Sequence, residues 1–325
     1  MSGEGLAAAP PARREAWIER VVAAVLRKTL EATLLPTFRA DRPIPEQRRR
    51  LLRVTRLTLR PRGVRFEPGL CGGVRGEFVR RRDAAERAGS AVLYLHGGAY
   101  CVGSPMTHRT IAGTLAHLTG ATVVVVDYRL APEHPCPAAI DDTVAAYLGL
   151  VASGREPRHI AIAGDSAGGG LALAAALRLR ERGHPLPAAL VTFSPWVDLD
   201  DPDRGPVPPG EVMISPSWVR ACARHYLGTR AARDPMASPI YGDLAGLAPT
   251  LIQVGSDEWL LPDARRLHEA LRRAGVPSTL EEYPRRWHVF QAHAGVLADA
   301  DRALASVARF LRETWDRPAG DGSDP

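Results

Sequence analysis

HIAIAGDSAGGGLALAAALRLR, residues 159–180, is the stretch whose reading decides the fold. Its first five residues are apolar and partly β-branched, as in a buried strand. Its last thirteen are alanine, leucine and arginine behind three glycines, as in a helix. Between them Gly164-Asp165-Ser166-Ala167-Gly168 matches G-x-S-x-G. A serine on so tight a strand-to-helix turn stands above the edge of its sheet, and glycines two before and two after let the backbone bend without a clash. A phosphate-binding loop would need G-x-x-x-x-G-K, and no lysine stands here. The plainer alternative is a glycine-rich turn with a serine at its helix start.

Outward from this unit the pattern repeats. Strands are expected at Val74–Arg80, Ala91–Leu95, Thr122–Tyr128, His159–Ala163, Ala189–Phe193, Thr250–Val254 and Thr279–Tyr283. Helices are expected at Thr107–Leu118, Ala138–Val151, Ala167–Arg182 and Pro262–Ala274, and Val289–Trp315 closes as a loop or short helix and then a longer one. Strand–helix alternation at this spacing makes an α/β protein with a mostly parallel central sheet flanked by helices, and a run such as VVVV at 123–126 suits a strand covered on both faces. Ahead of this body, residues 14–35 carry two apolar rows, Trp17-Val21-Val25 and Ile18-Val22-Leu26-Leu30-Leu34, which predicts a helix docked on a globular body rather than lying on a membrane surface. A short helix is expected at Pro45–Val54. Residues 197–237, rich in Pro, Gly and Asp, are too long for a simple connection and read as a lid or binding excursion. The division expected is a helical segment over 1–60, a catalytic domain over 61–317 with an insertion at about 197–237, and a disordered tail at 318–325.

Composition narrows the function. The chain has 325 residues, 45% hydrophobic and 24% charged, which is ordinary globular usage. Its net charge of +6 would suit a nucleic-acid binder, but the charge is lopsided: residues 1–90 hold 20 basic and 10 acidic side chains, residues 91–325 hold 22 and 26. Only Lys28 is a lysine and asparagine is absent, which speaks for a GC-rich genome rather than a selected basic patch. No nucleic-acid partner is expected. Four scattered cysteines make neither a disulfide framework nor a zinc site, and Cys101 reads as a small buried hydrophobe rather than a reactive thiol. No stretch reads as a signal peptide or a membrane span, so the expected setting is the cytoplasm. The acidic run DLDDPD at 198–203 lacks the calcium-loop register, and no metal or cofactor is expected.

Chemistry at Ser166 needs partners. A serine hydroxyl is a weak nucleophile until a neighbour takes its proton. LYLHGGAY at 93–100 follows a strand, and its paired glycines can aim backbone N–H groups at a developing oxyanion, joined by the N–H of Ala167 at a helix start. In this fold the order is serine, acid, histidine. His288, in the loop PRRWHVF after the last strand, is the expected base; His268 falls in a helix, and His293 is a weaker rival. The acid should follow the strand at 250–255, where Ser256-Asp257-Glu258 stands. Asp257 is the choice, with Glu258 and Asp263 as runners-up.

Five ordered motifs, HGGAY at 96–100, DYRLAPEHP at 127–135, GDSAGGG at 164–170, GSDE at 255–258 and WHVF at 287–290, resemble the hormone-sensitive-lipase-like family of α/β-hydrolases, which includes bacterial carboxylesterases and arylacetamide deacetylase. The resemblance spans roughly residues 64–315. It implies an α/β-hydrolase fold with a helical cap built from the N-terminal helices and the 197–237 excursion. It implies Ser166 as nucleophile, Asp257 as acid and His288 as base, with Gly97, Gly98, Ala99 and Ala167 around the oxyanion. Ala99 stands where the family often has a third glycine, and Glu258 where a proline often follows the acid. The implied activity is a cytoplasmic serine carboxylesterase acting on short- to medium-chain acyl esters. An amide, N-acetyl or O-acetyl deacetylase of a small metabolite is the alternative, and a non-catalytic receptor a remote one, since His288 is present. A small-molecule ester is the expected partner, and analogy adds a homodimer through a late strand.

Overall fold

The computed structural model describes residues 13–55, 61–83, 87, 89–200 and 203–317, with side chains from residue 17 onward. The tails at 1–12 and 318–325 lie outside the described residues. Two helices lead, α1 (Arg13–Thr33) and α2 (Ile44–Thr55). An eight-stranded sheet follows: β1 (Val64–Cys71), β2 (Val74–Arg81), β3 (Ala91–Leu95), β4 (Thr122–Val126), β5 (Ile160–Asp165), β6 (Ala189–Phe193), β7 (Thr250–Gly255) and β8 (Ser278–Tyr283). Helices α3 (Arg109–Thr119), α4 (Ala138–Ala152), α5 (Ala167–Glu181), α6 (Pro216–Leu227), α7 (Leu261–Arg273) and α8 (Ala298–Trp315) complete the chain.

The spatial order is β1-β2-β4-β3-β5-β6-β7-β8, with β1 and β2 antiparallel and every pair from β4 to β8 parallel. Strands β3 to β7 are buried at every position, as their unbroken apolar runs require. The elements expected from the sequence lie within a residue or two of those observed, except that Asp127 and Tyr128 fall beyond β4.

Strand β1 was not expected, because Pro68 and Gly69 interrupt its pattern and only its two end residues are buried. It is an edge strand, where a missing N–H is tolerated. The signal was Gly72-Gly73: both have positive φ (58° and 80°), and the strands pair from Cys71–Val74 outward, so the two glycines form a two-residue hairpin turn. Helix α6 was hidden in the 197–237 excursion. Of the two apolar rows that run along α1 and just past it, one docks from Val22 onward: Leu30 and Leu34 are buried and Val22 and Leu26 pack against the core, while Ile18 at its start is exposed, as are Trp17, Val21 and Val25 of the other row. Among the described residues no helix is long and apolar enough to cross a membrane.

Candidate active site

Ser166 sits between β5 and α5 with φ 53° and ψ −119°, a conformation that L-residues adopt only when their surroundings impose it. The flanking glycines are required by contact. A Cβ on Gly164 would lie 2.3 Å from the Gly168 carbonyl oxygen, and one on Gly168 would lie 2.0 Å from that of Leu95. The turn is pinned further where the Ser166 N–H donates to the Phe193 carbonyl (2.8 Å) and the Trp196 N–H to the Ser166 carbonyl (3.0 Å).

His288, in the loop after β8, lines the same cavity as Ser166. Its Nδ1 lies 2.9 Å from Glu258 Oε2, and both side chains are buried. A carboxylate only accepts, so Nδ1 carries the proton and Nε2 is left for the cavity. Glu258 Oε1 accepts from Ser194 Oγ (2.9 Å) and the Gly255 N–H (2.5 Å), which fixes the carboxylate in one orientation. Burial pulls the His288 pKa down, but the hydrogen bond and charge of Glu258, with Glu211 and Asp165 behind, outweigh it and the net direction is upward.

The structure therefore corrects the choice of acid. Asp257 turns the other way: its Oδ2 accepts from Arg27 of α1 at 2.9 Å, and its side chain is 26% exposed where that of Glu258 is sealed. Two carboxylates in succession at a strand end point to different sides of the turn, and only the packing says which side holds the histidine. Asp263 is spent elsewhere, in a buried pair with Arg204 at 2.7 Å. His293 also lines the cavity, but among the described residues it is paired with no carboxylate, and burial lowers its pKa to about 4. His268 lies away from the cavity and meets Ser278 Oγ.

The oxyanion loop is also corrected at one position. Gly97 lines the cavity, but its N–H donates to Asp165 Oδ1 at 3.0 Å, so it is occupied. The glycine is there for space: a Cβ would lie 2.1 Å from Asp165 Oδ2. Among the described residues the N–H groups of Gly98 and Ala99 have no protein acceptor, and that of Ala167 opens α5, where no intrahelical acceptor exists. Ala99 holds φ 50°, which explains why glycine suits this position, and alanine keeps the N–H.

The cavity is about 120 Å³. Its outer wall is apolar and comes from the N-terminal helices and the excursion: Leu30, Leu34 and Phe38, Leu51 and Val54, Met213, Ile214 and Trp218. Phe38 stacks on Trp218 at 4.6 Å, and the Trp218 indole N–H donates to Gln47 Oε1 at 2.7 Å. Residues whose role the sequence hid are Asp165, which stands inside the G-x-S-x-G turn but at a position the pattern leaves open, and His108 and Glu211, which fall in no spacing that announces a site. Glu211 is buried, accepts from the N–H groups of Met213, Ile214 and Trp259, and so ties the cavity wall to the loop of Glu258. Burial raises its pKa, against the opposing charge of His288. All four cysteines are free and buried, as expected for Cys101. Asp198 and Asp200 of the acidic run are paired with Arg266 and Arg233.

Residues 92–292 match the model of a family described as having the alpha/beta hydrolase fold. An acetyl-hydrolase of Streptomyces hygroscopicus is 44% identical over 243 residues, covering 74% of this chain and 80% of that protein. An esterase of Acinetobacter venetianus is 36% identical over 297 residues, 90% of this chain and 94% of that one. A crystal structure of an esterase from the bacterial hormone-sensitive lipase family superposes with a TM-score of 0.84 at 37% identity, over 92% of this chain and 98% of that chain. This chain belongs to the bacterial hormone-sensitive-lipase family of α/β-hydrolases. As such it is a hydrolase of the esterase class. The fold read from residues 159–180 is the fold this family shares, and the antiparallel β1–β2 hairpin is its outer edge here.

Proposed function

We propose that the protein is a serine carboxylesterase that works through Ser166, His288 and Glu258 and prefers short acyl groups. The observation that carries this reading is the His288–Glu258 pair facing one cavity with Ser166 on its strained turn. His288 Nε2 takes the proton of Ser166 Oγ as the oxygen attacks the ester carbonyl. The N–H groups of Gly98, Ala99 and Ala167 receive the negative charge on the carbonyl oxygen. His288 then gives its proton to the departing alcohol, and water, deprotonated by the same imidazole, releases the acid from the acyl-serine. Glu258 holds the Nδ1–H tautomer and stabilises the imidazolium without taking its proton.

The α1, α2 and 197–237 segments act as the cap that sets substrate size. Phe38 and Trp218, stacked in the apolar wall of that cavity, are the side chains that an acyl chain meets there. The similarity to an acetyl-hydrolase favours a second reading at the same site, removal of an acetyl group from a small metabolite.

Hydrolysis of p-nitrophenyl esters from two to twelve carbons tests the first reading. Activity should peak at the shortest chains and fall by about 10⁴–10⁶ in Ser166→Ala, as for a missing nucleophile. Full activity in that variant would overturn it. A wild type inactive on the whole series but active on an acetylated amine would leave the second reading.

A further inference from the structure

We propose that His108 is a positioning residue: its imidazole, ion-paired with Asp165, ties the oxyanion loop to the nucleophile turn and thereby acts on kcat. The inference rests on the serine-esterase reading and names a group that reading does not use. His108 lies before α3 and lines the cavity with Ser166 and His288. Its Nε2 is 3.2 Å from Asp165 Oδ2, and the histidine and aspartate side chains are only 13% and 3% exposed.

The contacts of His108 make its Nε2 a donor. The Thr107 hydroxyl accepts from the Ser104 N–H (3.0 Å) and has two acceptors within reach of its one proton, the Ser104 carbonyl (2.7 Å) and His108 Nδ1 (2.8 Å). Nε2 faces the Asp165 carboxylate and donates to it. The Gly97 N–H lies 3.3 Å from Nε2 but has Asp165 Oδ1 closer, at 3.0 Å, as its acceptor. Asp165 Oδ1 also accepts from Tyr94 Oη at 2.7 Å. Burial pulls the His108 pKa down and the charge and hydrogen bond of Asp165 lift it to a net rise; burial pushes Asp165 up and His108 brings it to a net fall.

The placement links two parts of the site. Asp165 immediately precedes Ser166, and its other oxygen holds the Gly97 peptide from which Gly98 and Ala99 extend. One carboxylate thus sets the distance between nucleophile and oxyanion donors. His108 neutralises that buried charge. The groups facing this pair are Tyr94 and His96 from β3 and its loop, with Tyr128 stacked on the far side of His96 at 4.3 Å. Across the cavity, His288 feels the Asp165 charge. Helix α2 adds only the uncharged Leu51, Val54 and Thr55 to the same cavity, β4 carries no charge, and Arg109 beside His108 is paired with Glu77.

The test is p-nitrophenyl acetate hydrolysis from pH 5 to 10 by wild type, His108→Gln and His108→Ala. In wild type, kcat should fall on the alkaline side as His108 loses its proton. His108→Gln keeps a donor without the charge; kcat near neutrality should drop about 10-fold, and in His108→Ala about 100-fold, the scale of a misaimed oxyanion donor. KM should stay within about threefold in both, since the loop acts on the transition state. The alkaline limb should vanish in His108→Gln. A KM rise that accounts for the whole loss, or variants with wild-type kcat and an unmoved limb, would overturn the proposal. If neither variant folds, wild type decides: a kcat flat from pH 7 to 10 overturns it, and a single-proton fall upholds it. An inactive wild type would sink the esterase reading instead.

Discussion

The inner and outer walls of the cavity are built on different principles. The inner wall is backbone: the turn at Ser166 and the loop at 97–99, where Gly97, Gly98, Gly164 and Gly168 meet oxygens too close for any Cβ and the buried Asp165 holds the loop. The outer wall is side chain: leucines of α1 and α2 and the Phe38–Trp218 stack, held by apolar burial and one indole hydrogen bond. Backbone packed to about 2 Å clearance admits only glycine at those four positions. Apolar packing allows many of similar volume. The inner wall should therefore answer to substitution in rate, and the outer wall in substrate choice.

Four outcomes would break or sharpen this contrast. Glu258→Gln should lower kcat by about 10³–10⁴, the cost of losing the carboxylate behind a catalytic histidine; near-wild-type rates would return the acid to Asp257. Trp218→Leu should leave the acetyl ester rate nearly unchanged and raise kcat/KM on eight-carbon esters about tenfold, since roughly a methylene's worth of fit is 10–200-fold; an unshifted chain-length profile would mean the outer wall does not sort substrates. The acid limb of kcat/KM should lie above the ordinary histidine value, because Glu258 raises His288, which must be neutral to act as base. A limb below that value would mean His288 feels its burial more than its partner. The smallest effect belongs to Asp257→Asn. Its pair with Arg27 is partly exposed, so stability should fall by about 0–1 kcal/mol in thermal unfolding and kcat should hold.

The same pKa directions predict how folding responds to pH. A histidine whose folded pKa is raised adds stability that is present below its unfolded pKa of about 6.5 and is lost as pH rises through the folded value. His108 and His288 both lie in this class, so they favour the folded state on the acid side of neutrality. Asp165 is depressed, so its contribution is present above its unfolded pKa and lost as pH falls through the folded one. The paired carboxylate thus limits stability in acid, and the two histidines limit it in alkali.

What the sequence determined by itself was local or ordered along the chain. Alternating strands and helices, the G-x-S-x-G turn and the loop histidine at 288 were legible because a tight turn demands glycines at fixed offsets and a buried strand demands an unbroken apolar run. What only the tertiary structure decided was direction. Asp257 and Glu258 are adjacent and chemically alike, and the side of the turn each faces follows from where Arg27 and His288 arrive from 230 residues before and 30 after. The Gly97 N–H looked like an oxyanion donor until Asp165, 68 residues on, was seen to accept it. Likewise one row of α1 docks and the other faces out, although both are apolar, because burial depends on what lies opposite. Periodicity is a property of one segment, whereas pairing and burial belong to two.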